Sequence, residues 1–191
     1  MQTDLFPSDA KPAAAMTMSA VLSGEPEPLY RPELRRIWDN TLPILVVCML
    51  NPSRADHSKN DPTVLALIHF AKLWGYGGIL IVNLFDFRSS SPKEMMAHAS
   101  PISADNTRYI DGAFIIARHT NKPVLAAWGR DGCHMDRDAW FIARARHHLV
   151  DLVCLGLTKD GYPKHPMARG AHRIPRDQQP ILWKSAQAVE P

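Results

Sequence analysis

Four short apolar runs limit what this chain can fold into: "PILVVCML", "GILIVNLF", "PVLAAWG" and "DLVCLGL". All are rich in Val, Ile and Leu, and none alternates polar with apolar residues, which is the pattern of strands buried on both faces. Helical stretches separate them. "DPTVLALIHFAKLWG" opens with an Asp at the N-cap position, continues with Pro and closes on Gly. "SADNTRYIDGAFIIARHT" and "HMDRDAWFIARARHHLV" supply two further crossovers. Strand and helix in repeated alternation predict an α/β fold: a three-layer α/β/α sandwich around a four-stranded, mainly parallel sheet.

The flanks read differently. Residues 1–28 are rich in Ala, Pro and Ser, lack sustained periodicity and have no basic start of the secretory kind, so a disordered lead-in is expected there. Residues 29–191 are then one α/β domain, and a hydrophobic content of 46% is enough to give it a core. In "LYRPELRRIWDN", Tyr30, Leu34 and Trp38 recur at four-residue spacing and can form one apolar face. "DQQPILWKSAQAVEP" predicts a short terminal helix carrying Trp183.

A formal charge of +3 permits a polyanionic partner without demanding one. Cys48, Cys133 and Cys154 form no CxxC pair, and an odd count with no signal peptide predicts a reducing, cytoplasmic setting. No apolar run approaches the length of a membrane span. No membrane contact is expected, and the chain is expected to be a monomer.

In open α/β sheets ligands bind beyond the carboxyl ends of the strands. Here the first run empties into "NPSRAD", the second into "NLFDFRSSSP", the third into "WGRDG" and the fourth into "GLTKDGYPKHP". Asn51, Asn83, Arg130, Asp131 and His165 therefore approach one edge of the sheet from four loops. Each also has an ordinary reading. Asn51 can end a strand through bonds to its own turn, His165 can be a solvated loop residue, and Asp61 can simply cap a helix. Asp56 has an open turn role, and Phe85 and Trp128 can be core residues. Asn83 interrupts an apolar run, and a buried amide needs partners from a loop or a ligand.

Several chemistries are set aside. "GYGG" precedes a strand instead of following one, so the dinucleotide fingerprint fails in context, and no GxxxxGK[ST] loop exists. "CHMD" and "ARHHL" lack the spacing of a structural zinc site, so neither a metal nor a cofactor is expected. No GxSxG elbow is present.

"RPELRRIW", "LNPSRAD", "DPT", "GYGGILIVNLFDFRSSSP", "AAWG" and "LGLTKDGYPKHP" occur in that order, and over residues 30–183 the chain resembles the bacterial and phage family called domain of unknown function 1643. The order of blocks is also similar, more distantly, to the uracil-DNA glycosylase superfamily, which is a parallel α/β/α sandwich. That resemblance implies roles. Asn51-Pro52 matches a first motif that holds the catalytic water, with Ser53 where one branch has Gly. Asn83 matches an Asn that reads the base edge, and His165-Pro166 a His-Pro motif that bonds the leaving base. The motif's carboxylate has no counterpart at the equivalent position, although Asp56 is near, and Met167 stands where the superfamily has Ser.

The function these readings point to is recognition of a nucleobase with cleavage or remodelling of an N-glycosidic bond in nucleic acid. Asn51, with Asp56 as base, would position a water, while His165 would donate to the departing base. Asn83 would pair with the base edge, and Phe85 would cover the ring. Pro52, Ser53, Arg130 and Pro166 would complete the substrate site. Lys159, Lys164, Arg169 and Arg173, with Arg176, would meet backbone phosphates. Two alternatives stay open: a module that binds a nucleotide or modified base without cleaving it, and an enzyme on free nucleosides or nucleotides.

Overall fold

The computed structural model describes residues 15–25, 27–53 and 55–187. Seven strands form one sheet: β1 (Thr17–Ser23), β2 (Tyr30–Ile37), β3 (Ile44–Met49), β4 (Gly78–Asn83), β5 (Val124–Ala126), β6 (Leu152–Cys154) and β7 (Ile181–Lys184). Among the described residues four α-helices accompany it: α1 (Pro62–Leu73), α2 (Pro92–Ala97), α3 (Asn106–His119) and α4 (Arg137–His147). The spatial order is β1-β2-β4-β3-β5-β6-β7.

The α/β class holds, but among the described residues the sheet has seven strands, not four, and it is mixed. β3 pairs in parallel with β4 and β5, and β5 with β6. The pairings β1–β2, β2–β4 and β6–β7 are antiparallel. The three added strands lie in the segments whose composition hides them. Residues 17–23, inside the stretch expected to be a disordered lead-in, form β1 along β2; residues 1–14 of that stretch lie outside the described residues. "YRPELRRI" is strand β2, not a helical face: Leu34 and Arg36 point to one side and are fully buried. Trp183 belongs to strand β7 instead of a terminal helix.

The core is two-sided. Leu45, Val47, Met49, Ile79 and Ile81 pack with Val64, Leu67 and Phe70 of α1. Their alternate neighbours Val46, Cys48, Leu80 and Val82 pack with Ile110 and Phe114 of α3 and with Phe141 of α4. A period of two along strands buried on both faces explains why those runs do not alternate polar with apolar residues. Asp61 caps α1, accepting from the Val64 N–H at 2.9 Å, and Pro62 begins the helix where no N–H partner is needed. That cap fixes the amino end of α1 just beyond the carboxyl ends of β3 and β4. Among the described residues no helix is long and apolar enough to cross a membrane.

Candidate functional site

β3 and β4 run in register, Met49 opposite Asn83, and their continuations stay bonded through Leu84 N–H to Met49 C=O and Phe85 N–H to Leu50 C=O, both 2.9 Å. The loops leaving them, the amino end of α1 and the segments after β5 and β6 enclose a cavity of about 420 Å³. Asn51, Ser53, Asp61, Asn83, Trp128, Arg130, Asp131 and His165 all line it. Loops distant in sequence thus place their polar residues around one space, above an apolar floor of Met49, Val64, Leu67 and Ile81.

Asn83 is the anomaly of this site. It continues the Ile79–Ile81 row on the α1 face, is 0% exposed, and neither its Oδ1 nor its Nδ2 has a hydrogen-bond partner. Buried amides without partners are rare, and each unmatched group carries a desolvation cost. Its backbone, by contrast, is held firmly. Asn106 Nδ2 donates to the Asn83 carbonyl at 3.1 Å, and Arg137 bonds both Asn106 Oδ1 (2.7 Å) and the Leu84 carbonyl (3.2 Å). Arg137 itself lies over the Trp140 ring, 3.7 Å from its centroid.

His165 accepts the Met167 N–H on Nδ1 at 3.0 Å, so the neutral ring carries its proton on Nε2. Burial lowers its pKa below the ordinary value, against a smaller opposing pull from Asp61. Asn51 is tied down on its nitrogen: Nδ2 donates to the Ser89 carbonyl (2.7 Å) and to Pro52 (3.2 Å), which leaves Oδ1 as the atom free to accept. This bond, with Ser89 N–H to Pro52 C=O (3.0 Å), joins the loops after β3 and β4.

Other expected residues lie elsewhere. Asp56 does not line the cavity. Its Oδ1 accepts from the backbone N–H and hydroxyl of Ser58 and from Lys59 N–H, and these bonds, led by the Ser58 backbone, hold its carboxyl at about 2. A carboxylate so committed is a poor proton acceptor at neutral pH. Phe85 is fully buried in the α3–α4 core, its ring 5.5 Å from His134, so it covers no cavity. Pro52 is buried and acts through its carbonyl. Pro166, Arg169 and Arg173 line a separate cleft with Arg176, His69 and Phe70. Lys159 is exposed and Lys164 lies along Gly156, and neither lines the main cavity.

The structure adds Arg31, Thr63, Ser89 and Ser90 to the walls and gives Asp61 a place there besides its capping role. It also resolves Trp128 into two roles: its ring packs edge-on against Phe141 and Trp183, while the same residue lines the cavity. Its Nε1 has no partner and lies against Gly132, where an added Cβ would come within 2.1 Å of the Trp128 Cδ1. Only glycine lets the backbone approach the indole that closely. Among the described residues no group of three or more His, Cys, Asp or Glu could hold a metal ion.

The family model described as protein of unknown function (DUF1643) matches residues 31–167. No curated protein and no solved structure matches the chain.

Proposed function

The chain belongs to the DUF1643 family, and from its cavity we propose for it a nucleobase-recognising activity of the uracil-DNA glycosylase type, directed at an N-glycosidic bond in nucleic acid. One observation carries this reading: the Asn83 amide, buried in the cavity wall with donor and acceptor both unmatched. A side chain that donates and accepts side by side suits the edge of a nucleobase. The apolar floor suits the face of a flat ring, and about 420 Å³ is within the usual size of a small-molecule site.

In hydrolysis the C1′–N bond breaks, its electron pair leaves with the base, and a water oxygen bonds C1′ while surrendering a proton. His165 supplies an Nε2–H donor to the departing base, where negative charge develops. Asn51 Oδ1 accepts from the water and orients it. Asp61 and Asp131 bring carboxylates to this cavity and Asp56 does not; Asp61, at the amino end of α1, takes the role of base. Its Oδ1 caps α1, and Oδ2 is available to receive the proton.

A second reading has its own observation. The residues expected to hold nucleic-acid phosphates, Lys159, Lys164, Arg169 and Arg173, all lie outside the main cavity, which favours a free nucleoside or nucleotide as the ligand of that cavity.

Product analysis on oligonucleotides bearing uracil, hypoxanthine or hypermodified pyrimidines, with the matching nucleosides in parallel, tests both. Base release from an oligonucleotide that Asn51→Ala slows by about 100-fold or more with little change in KM supports the first reading. Release only from nucleosides or nucleotides supports the second. Binding without release from any substrate leaves a base-recognition module and removes the glycosylase assignment.

A further inference from the structure

We propose that the cavity holds a phosphate as well as a base: Arg31 is the anion site for the phosphomonoester of a mononucleotide. The proposal rests on the base-recognition part of the reading above and, between its two substrate classes, takes the free nucleotide over nucleic acid. Arg31 lines the same cavity as Asn83 and is only 3% exposed. Its backbone is pinned to the segment after β4, Arg31 N–H to Asp86 C=O at 2.9 Å, with Tyr30 bridged to Phe87. One guanidinium nitrogen donates to the Ala55 carbonyl, and Nε is buried with no partner. Among the described residues no carboxylate lies within ion-pair distance of it.

A guanidinium presents five donors, and one neutral carbonyl does not balance a charge taken out of water. Burial lowers the Arg31 pKa to about 10, so the group is still a cation at neutral pH. Its nearest charged company does not neutralise it. Asp61 and Asp56 attract, but Arg36 and Arg88 repel, and the Arg88 Nε is likewise buried and unpartnered. Arg36 is consumed by the loop after β3, where it bonds the carbonyls of Asp56 and Lys59 and the Asn60 side chain. A phosphate supplies what is missing, namely two negative charges and oxygens spaced for bidentate bonding. Ser53, Thr63 and Ser90 line the same cavity, and their hydroxyls can complete the contacts.

The form of the phosphate follows from the burial. A monoester can end against the buried Arg31, whereas a phosphodiester there carries chain on both sides that must run along the cavity. The basic cleft of Arg169, Arg173 and Arg176 is separate and does not supply this contact.

Calorimetry on the full chain tests the proposal with uridine and inosine, their 5′-monophosphates, a short oligonucleotide carrying each base, and inorganic phosphate. At least one 5′-monophosphate is expected to bind about tenfold or more tighter than its nucleoside. Arg31→Gln is expected to remove that advantage while nucleoside affinity stays within about threefold. Equal affinity of nucleoside and monophosphate overturns the phosphate site and leaves base recognition standing. So does an advantage that survives in a folded Arg31→Gln. An oligonucleotide that binds while neither monophosphate does overturns the mononucleotide assignment. Should neither nucleosides nor nucleotides bind, protection of the wild type but not Arg31→Gln by inorganic phosphate upholds the anion site and removes the base reading. Where Arg31→Gln does not fold, the wild-type comparison decides alone.

Discussion

Asn83 occupies a position where its own row, Ile79 and Ile81, sets an apolar precedent, yet it is an amide with nothing to bond. Leaving such a group unmatched costs about 1–3 kcal/mol. Asn83→Leu should therefore raise the unfolding free energy of the ligand-free protein by about 1 kcal/mol while abolishing ligand binding, a trade seen where stability is sacrificed for function. Urea unfolding checks the first half and calorimetry the second. A variant destabilised by several kcal/mol would show that the amide has a structural partner after all, and the base-edge reading would lose its support. This residue was legible in the sequence because a polar side chain inside "GILIVNLF" has no packing reason to be there. Asp61 was half legible. Its capping role follows from the Asp-Pro order, but its place on the cavity depends on where α1 is set against the sheet, and no local pattern states that.

At the scale of elements, the loop after β3 owes its shape to a strand that the sequence conceals. Arg31 and Arg36 of β2 bond the carbonyls of Ala55, Asp56 and Lys59 and the side chain of Asn60. Two arginines thus stand in for the sheet neighbour that the loop lacks. Arg36 is fully buried, so Arg36→Ala leaves several acceptors without donors and should cost about 2–4 kcal/mol. Hydrogen exchange should show the loss of protection concentrated over residues 55–60, and a loss spread evenly over the sheet would contradict this role. β2 was misread because Tyr30, Leu34 and Trp38 mimic a helical repeat, whereas its real partner, β4, lies far along the chain. Buried arginines also break the rule that inward strand positions are apolar. The segments that became β3 to β6 and α1, α3 and α4 were legible because each carries its own periodicity or caps, independent of distant neighbours. The antiparallel strands β1 and β7 are half exposed or short, and pairing alone defines them.

For the molecule as a whole, His165 links the cavity to acid stability. Its folded pKa lies below the ordinary 6.5 because burial disfavours the cation. The native state therefore favours the neutral ring. The resulting stabilisation is complete above about 6.5 and is lost as pH falls through the lowered folded value. Wild-type protein should lose unfolding free energy over that window, and His165→Asn should lose less, as measured by urea titrations at a series of pH values. An identical pH slope in both proteins would remove His165 from the linkage. The arrangement of the sheet has a further consequence of a different kind. β1 and β7 form its opposite margins, six strand spacings apart, or roughly 29 Å. That separation suits a pair of fluorescent reporters, one on β1 and one on β7, whose energy transfer follows the width of the sheet without touching the cavity.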